Sequence, residues 1–152
     1  MTYDHTQKSP LYLIVLAPIL LLTVIALIAH AHLHQYLILS CVAAVLVFFA
    51  FCFVSLRVRD EGDSLAIRFG PLPVFRRRIP YAQITAAEPG RSSIIDGWGI
   101  HWGPGREWIW NLWGFDCVVV HLGAKTVRIG TDDPAGLTEF INSKIADAAL
   151  RQ

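Results

Sequence analysis

The stretch that decides the fold is LYLIVLAPILLLTVIALIAHAHLHQYLILSCVAAVLVFFAFCFVSL, Leu11 to Leu56. It contains no Asp, Glu, Lys or Arg, and the uncharged region reaches back to Ser9. Two apolar runs, Leu11–Ala29 and Leu37–Leu56, flank the short polar segment His30–Tyr36; they are 19 and 20 residues long. About 20 apolar residues at 1.5 Å rise each cross a bilayer core. The runs therefore predict two transmembrane helices joined as a hairpin. The first run exceeds the usual apolar core of a signal peptide, so a span is the better reading than a cleaved leader. Pro18 is expected to bend the first span, and Ser40 with Ala44 offers a small-residue face for helix contact.

Outside these runs the composition is that of a small soluble domain. Of the 13 basic and 12 acidic residues, all but Lys8 and Asp4 lie after Leu56. The balance gives no global field that would draw a nucleic acid. Lys8 precedes the first run, Arg57 and Arg59 follow the second, and the loop between them has no Lys or Arg. The positive-inside rule then places both termini in the cytoplasm. This predicts a cytoplasmic tail over 1–10, spans over 11–29 and 37–56, and a cytoplasmic domain over 57–152. Of the three cysteines, Cys41 and Cys52 share the second run but are too far apart on a helix to bridge, and Cys117 stands alone. No disulfide framework is implied.

From residue 57 the period changes to two. Leu65, Ile67 and Phe69 alternate with Ala66 and Arg68 after the turn Asp60-Glu61-Gly62-Asp63. Further strands are read over Phe75–Ile79, over Gln83–Glu88 (ended by Pro89-Gly90), and over Trp98–Trp102 and Arg106–Trp110 on either side of Gly103-Pro104-Gly105. Phe115–Leu122 and Lys125–Ile129 turn at Gly123-Ala124. Asp133 before Pro134 marks a helix start, and Leu137, Phe140, Ile141, Ile145 and Ala148 share one face of a final helix to about Leu150. Asp132 and Asp133 are read as caps rather than ligands. Seven or so antiparallel strands and one amphipathic helix predict a mainly-β barrel or curved sheet covered by a C-terminal helix.

Several strings in this region are similar to the bacterial pleckstrin-homology-like (PH-like) domains of small membrane proteins. They are the acidic turn leading into Leu65-Ala66-Ile67-Arg68, then Ile79-Pro80-Tyr81-Ala82-Gln83-Ile84, then Gly97-Trp98-Gly99-Ile100. The most specific is Val127-Arg128-Ile129-Gly130-Thr131-Asp132-Asp133-Pro134-x-x-Leu137. The resemblance covers roughly residues 54–148. It implies a PH-like barrel with a C-terminal helix, a docking role, and a two-pass protein of a bacterial cytoplasmic membrane. The phosphoinositide loop of eukaryotic PH domains is basic. Here Asp60-Glu61-Gly62-Asp63 takes its place and repels phosphate, so that site is expected to be missing.

All five tryptophans fall between residues 98 and 113. Tryptophan suits both a bilayer interface and a protein interface. Trp98, Trp102, Trp108 and Trp110 are therefore the expected lipid or partner contacts, with Arg76 and Arg78 as supporting charges. Alternation splits Arg76-Arg77-Arg78, so only two of the three share a face. A rival reading uses His30, His32 and His34 as metal ligands, and a third treats the chain as a structural subunit of a larger membrane complex or homo-oligomer. Cys117 and His121, four residues apart on a strand, are too distant to form a nucleophile and base. No phosphate loop, dinucleotide fingerprint or metalloprotease motif is present. The expected function is a non-enzymatic docking protein with no cofactor and no small-molecule substrate.

Overall fold

Three residues after the second helix ends, the chain is already a β-strand. The structure is a computed structural model that describes residues 2–29, 32–72, 74–93, 97–103 and 107–149. Helices α1 (Leu11–Ile28) and α2 (Leu33–Cys52) form an antiparallel pair. Their partly covered positions recur at three- and four-residue spacing: Leu16, Ile19, Thr23 and Ala26 on α1, and Leu39, Ala43, Val47 and Ala50 on α2. This is the spacing of a helix–helix seam. Tyr36 Oη donates across it to the Ala26 carbonyl at 3.0 Å. Ser40 and Ala44 lie outside the seam and are exposed, contrary to the sequence reading. Larger side chains at Leu39 and Val47, with Ala43 between them, fill the groove instead.

The rest of both helices is apolar and open, including Leu20, Leu21, Ile28, Leu33, Ile38 and Phe51. Among the described residues one helix, α2, is long and apolar enough to cross a membrane, with mean hydropathy 2.3; the apolar helix Tyr12–Ile28 is shorter. The second run does not stay helical to Leu56. It begins earlier, at Leu33, and stops at Cys52. Ser55 and Leu56 belong to a strand, and Leu56 is fully buried beneath it.

Four strands form one antiparallel sheet in the order β1-β2-β3-β4. They are β1 (Asp4–Lys8), β2 (Ser55–Asp60), β3 (Ser64–Phe69) and β4 (Arg76–Pro80). A 3-10 turn, Tyr81–Gln83, leads to the second sheet. Its strands are β5 (Ala86–Arg91), β6 (Gly99–Trp102), β7 (Trp108–Asn111), β8 (Asp116–Leu122) and β9 (Lys125–Gly130), in the order β5-β8-β9-β7-β6. Helix α3 (Pro134–Ala149) packs on β5, β8 and the 3-10 turn.

The sequence reading requires three corrections here. Residues 4–8 are not part of a tail: β1 pairs with β2 from Asp4↔Arg59 to Lys8↔Ser55. The sheets are not wholly antiparallel, because β7 runs parallel to β9. Pro89-Gly90 does not end β5, which continues to Arg91; β5 is an edge strand, where a missing N–H can face outward. Pro104, Gly105 and Arg106, read as hairpin turn and strand start, lie outside the described residues.

The core lies between the sheets. Leu56, Val58, Ile67 and Phe69 meet Trp110, Val118, Val120 and Ile129, and α3 closes one side with Leu137, Phe140 and Ile141. Along β2 the alternation is clean, with Leu56 and Val58 buried and Arg57 and Arg59 exposed. The helix roots are fastened to this body at two points. Ser9 N–H donates to the Val54 carbonyl at 3.1 Å, and Gly70 N–H to the Ser55 carbonyl at 2.6 Å. Gly70 has φ +62°, and a Cβ there would lie 2.5 Å from the Cys52 carbonyl oxygen. Only glycine allows both that conformation and that approach.

At the other end, Asp133 caps α3 as expected. Its Oδ1 accepts from Gly136 N–H at 3.0 Å, and its own N–H donates to Thr131 Oγ1 at 3.1 Å. Tyr3 Oη donates to Asp133 Oδ2 at 3.2 Å, and the Tyr3 ring stacks on Phe140. The start of the chain is thus bound to its last helix. Asp133→Ala is expected to lower unfolding stability by about 1 kcal/mol. Gly70→Ala is expected to open the helix–sheet junction, read as new protease cleavage between Cys52 and Ser55.

Candidate functional site

The tryptophans divide by environment. Trp98, Trp102 and Trp108 are 42%, 54% and 40% exposed, whereas Trp110 is 7% exposed. Trp110 lies in the core against Phe69, with ring centroids 5.9 Å apart. It is therefore withdrawn from the expected contact surface. Trp108 shares its strand parity but sits at the first position of β7, between Trp102 and Val127, and stays exposed.

The exposed rings form two separate groups. Trp98 stacks on Trp113 at 4.5 Å, and its Nε1–H donates to the Gly114 carbonyl at 3.2 Å. Trp98 also lines a groove with Tyr12, Phe49 and Phe53, at the foot of both apolar helices. Trp102 and Trp108 meet edge to face at 5.3 Å, at the far end of the β6–β7 pair. Four residues of strand, about 13 Å, separate Trp98 from Trp102. The single tryptophan surface read from sequence is thus one ring at the helix roots and one pair of rings away from them.

The arginines follow the alternation. Arg76 and Arg78 are exposed on the outer face of β4, while Arg77 is half-buried on the other side. Burial holds the Arg77 guanidinium below its usual range. Arg78 Nε lies 2.7 Å from Glu61 Oε2, and Arg68 also pairs with Glu61. Glu61 is therefore engaged rather than free. Of the turn's other two carboxylates, Asp63 is exposed and Asp60 is covered by α3. Lys144 Nζ lies 2.9 Å from Asp60 Oδ2, and Tyr81 Oη and Gly62 N–H donate to Oδ1 at 3.0 and 2.9 Å. Burial pushes the Asp60 carboxyl up, but hydrogen bonds from Lys144, Gly62 and Tyr81, with the charge of Lys144, outweigh it and hold the group below its ordinary value. Burial, together with the neighbouring Asp60, pushes the Tyr81 phenol far up, so it remains a neutral donor.

The remaining candidates are placed elsewhere. His32 caps the start of α2, its N–H donating to Gln35 Oε1 at 2.8 Å, and its ring stacks on His34. His30 lies outside the described residues. Among the described residues no group of His, Cys, Asp or Glu is arranged to hold a metal ion. Cys117 is fully buried, and that burial pushes its thiol up, the opposite of what a nucleophile needs. His121 pairs with Glu88 at 3.1 Å rather than with Cys117.

Two outcomes follow from this geometry. Trp110→Ala is expected to cost about 3–5 kcal/mol of stability, while Trp102→Ala costs about 1 kcal/mol, both read by thermal unfolding in detergent. The Asp60 contribution is fully present above the ordinary carboxylate value near 4 and is lost as pH falls through its lowered one. Asp60→Asn should therefore begin less stable at neutral pH and lose less on acidification, as read from unfolding midpoints against pH. No family model, curated protein or solved structure matches this chain.

Proposed function

We propose that this chain is an integral membrane protein in which α1 and α2 cross the bilayer as a hairpin and hold a PH-like docking module at the cytoplasmic surface. The observation that carries this reading is the helix pair itself. Both helices are apolar on every side, leave that surface uncovered, and have their roots tied into one folded body. In water such a surface would be strongly unfavourable; in hydrocarbon it is the ordinary state. A helix of 18 or 20 residues is about 27 or 30 Å long, close to the hydrocarbon thickness. Trp98 beside Tyr12 and Phe53 supports an interfacial level at the helix roots.

The module performs no chemistry of its own on this reading. Its contact surface is the exposed Trp102–Trp108 pair, which offers two large rings of the kind that anchor protein interfaces. The strings shared with bacterial PH-like domains, the two sheets and the C-terminal helix support a docking role, and the buried Cys117 supports the absence of a thiol nucleophile.

The test is direct. The chain is expected to remain in the pellet when membranes are washed with alkaline carbonate, and a fluorescent protein fused after residue 152 should be bright inside the cell. Release into the supernatant, or activity of a periplasmic reporter at the same position, overturns the proposal.

A further inference from the structure

The pairing register brings together charges that are far apart in sequence. Arg57 lies directly opposite Arg68, and Arg68 directly opposite Arg76, so three arginines stand side by side across β2, β3 and β4. The next row but one places Arg59 and Arg78 on either side of Ala66. All point away from the core, since Leu56, Val58, Ile67 and Ile79 occupy the alternate positions. With Lys8 at the end of β1, six cations share this outer face.

Two carboxylates answer them. Asp4 takes Arg57 in a two-point pair at 2.7 and 2.5 Å and reaches Arg59 at 3.8 Å. Glu61 is divided between Arg68 and Arg78. Each guanidinium carries five N–H donors, so two shared carboxylates leave most of that capacity unused. Arg76 and Lys8 have no carboxylate partner among the described residues. Like charges set directly opposite each other on a sheet are destabilising. The whole chain has a net charge of only +1, so this surplus is local and is offset by acids elsewhere.

The face also has a fixed place. Lys8 and Ser55 form the row nearest the helices, and Arg57, Arg68 and Arg76 lie two residues further along, about 7 Å. Lys8 stands at the level of the helix roots, and Arg76, without a carboxylate partner among the described residues, can extend toward it; Arg57 and Arg68 are drawn the other way, to Asp4 and Glu61.

We propose that the outer face of the four-stranded sheet, centred on the Arg57–Arg68–Arg76 row with Lys8 at its edge, binds the phosphate groups of anionic phospholipids in the leaflet beside the helix roots. This rests on the membrane reading given above and adds the ligand class and its site. It differs from the tryptophan surface and from the acidic turn. The row supplies a planar set of donors matched to phosphate oxygens. Asp4 and Glu61 fix Arg57 and Arg68 in place, and the charges of Arg76 and Lys8 are left without a carboxylate among the described residues.

The full chain would be reconstituted in nanodiscs of phosphatidylcholine with phosphatidylglycerol, and the lipids retained after mild extraction counted by native mass spectrometry. Wild type is expected to retain phosphatidylglycerol in preference to phosphatidylcholine. Arg76→Gln and Lys8→Gln break no ion pair among the described residues, so folding should be unaffected, and each should reduce the preference about fivefold, the equivalent of ~1 kcal/mol per charge near an anionic surface. Lys125→Gln, in the turn-proximal end of β9, removes the same charge elsewhere and should leave the preference intact. Equal retention of both lipids by wild type overturns the proposal, as does an effect of Lys125→Gln equal to that of Arg76→Gln. Loss of the preference in soluble glycerol phosphate would mark a free-phosphate site and overturn it too. Failure to enter nanodiscs of either composition would instead refute the membrane reading.

Discussion

β1 and β2 are separated in sequence by the entire helical pair, yet they pair residue for residue from Asp4–Arg59 to Lys8–Ser55. Bringing such distant segments together ordinarily costs closure entropy. Here α1 and α2 remove much of that cost, because an antiparallel pair already returns the chain to its starting level. The ladder and the helix pair therefore support one another. A chain whose two helix roots share one ladder cannot place those roots on opposite sides of a bilayer. The same constraint binds β1 against α3 through Tyr3, Asp133 and Phe140. The N-terminal residues thus complete the domain, and the helices behave as an insertion between its first two strands.

Much of this was legible in the sequence. The apolar runs gave helices, and period-two alternation located β3, β8 and β9 closely. Asp133-Pro134 located α3. What escaped notice had physical causes. β1 reads Asp-His-Thr-Gln-Lys, and its inward residues are His5 and Gln7. A buried Gln7, whose Nε2 donates to the Trp113 carbonyl, leaves no apolar alternation to detect. The end of α2 was hidden because Val54 and Leu56 are as hydrophobic as the helix before them. Burial of Leu56 in protein rather than lipid is a tertiary fact. Strand parity puts Trp108 and Trp110 on one face, but parity does not reveal which of two same-face residues the core covers: Trp110 packs on Phe69, whereas Trp108 meets the exposed Trp102.

The arginine row escaped for a further reason. Arg57, Arg68 and Arg76 stand eleven and eight residues apart in the chain, and nothing in a linear reading favours them over the contiguous Arg76-Arg77-Arg78. Only the hairpin registers make the first three neighbours. The contiguous set is the one that is split, with Arg77 turned toward the interior face. Local charge density in sequence and charge density on a sheet are different quantities, and the register relates them.

The acidic turn shows the same distinction with the opposite sign. Asp60-Glu61-Gly62-Asp63 in isolation would repel phosphate. In the fold, Asp60 is spent on Lys144, Tyr81 and Gly62, and Glu61 on Arg68 and Arg78. Asp60 is thus directed inward to fasten α3, and Glu61 outward to brace arginines on the neighbouring strands, while Asp63 stays exposed. Bracing matters because an unrestrained arginine loses rotamer entropy on gripping an anion, and a carboxylate that already holds it in place lowers that loss. A residue that looks antagonistic to anion binding in the sequence can therefore favour it in the structure, provided that it restrains a donor without exhausting it. Glu61 meets that condition: its two oxygens serve two guanidiniums, whose ten donors far exceed what one carboxylate can accept.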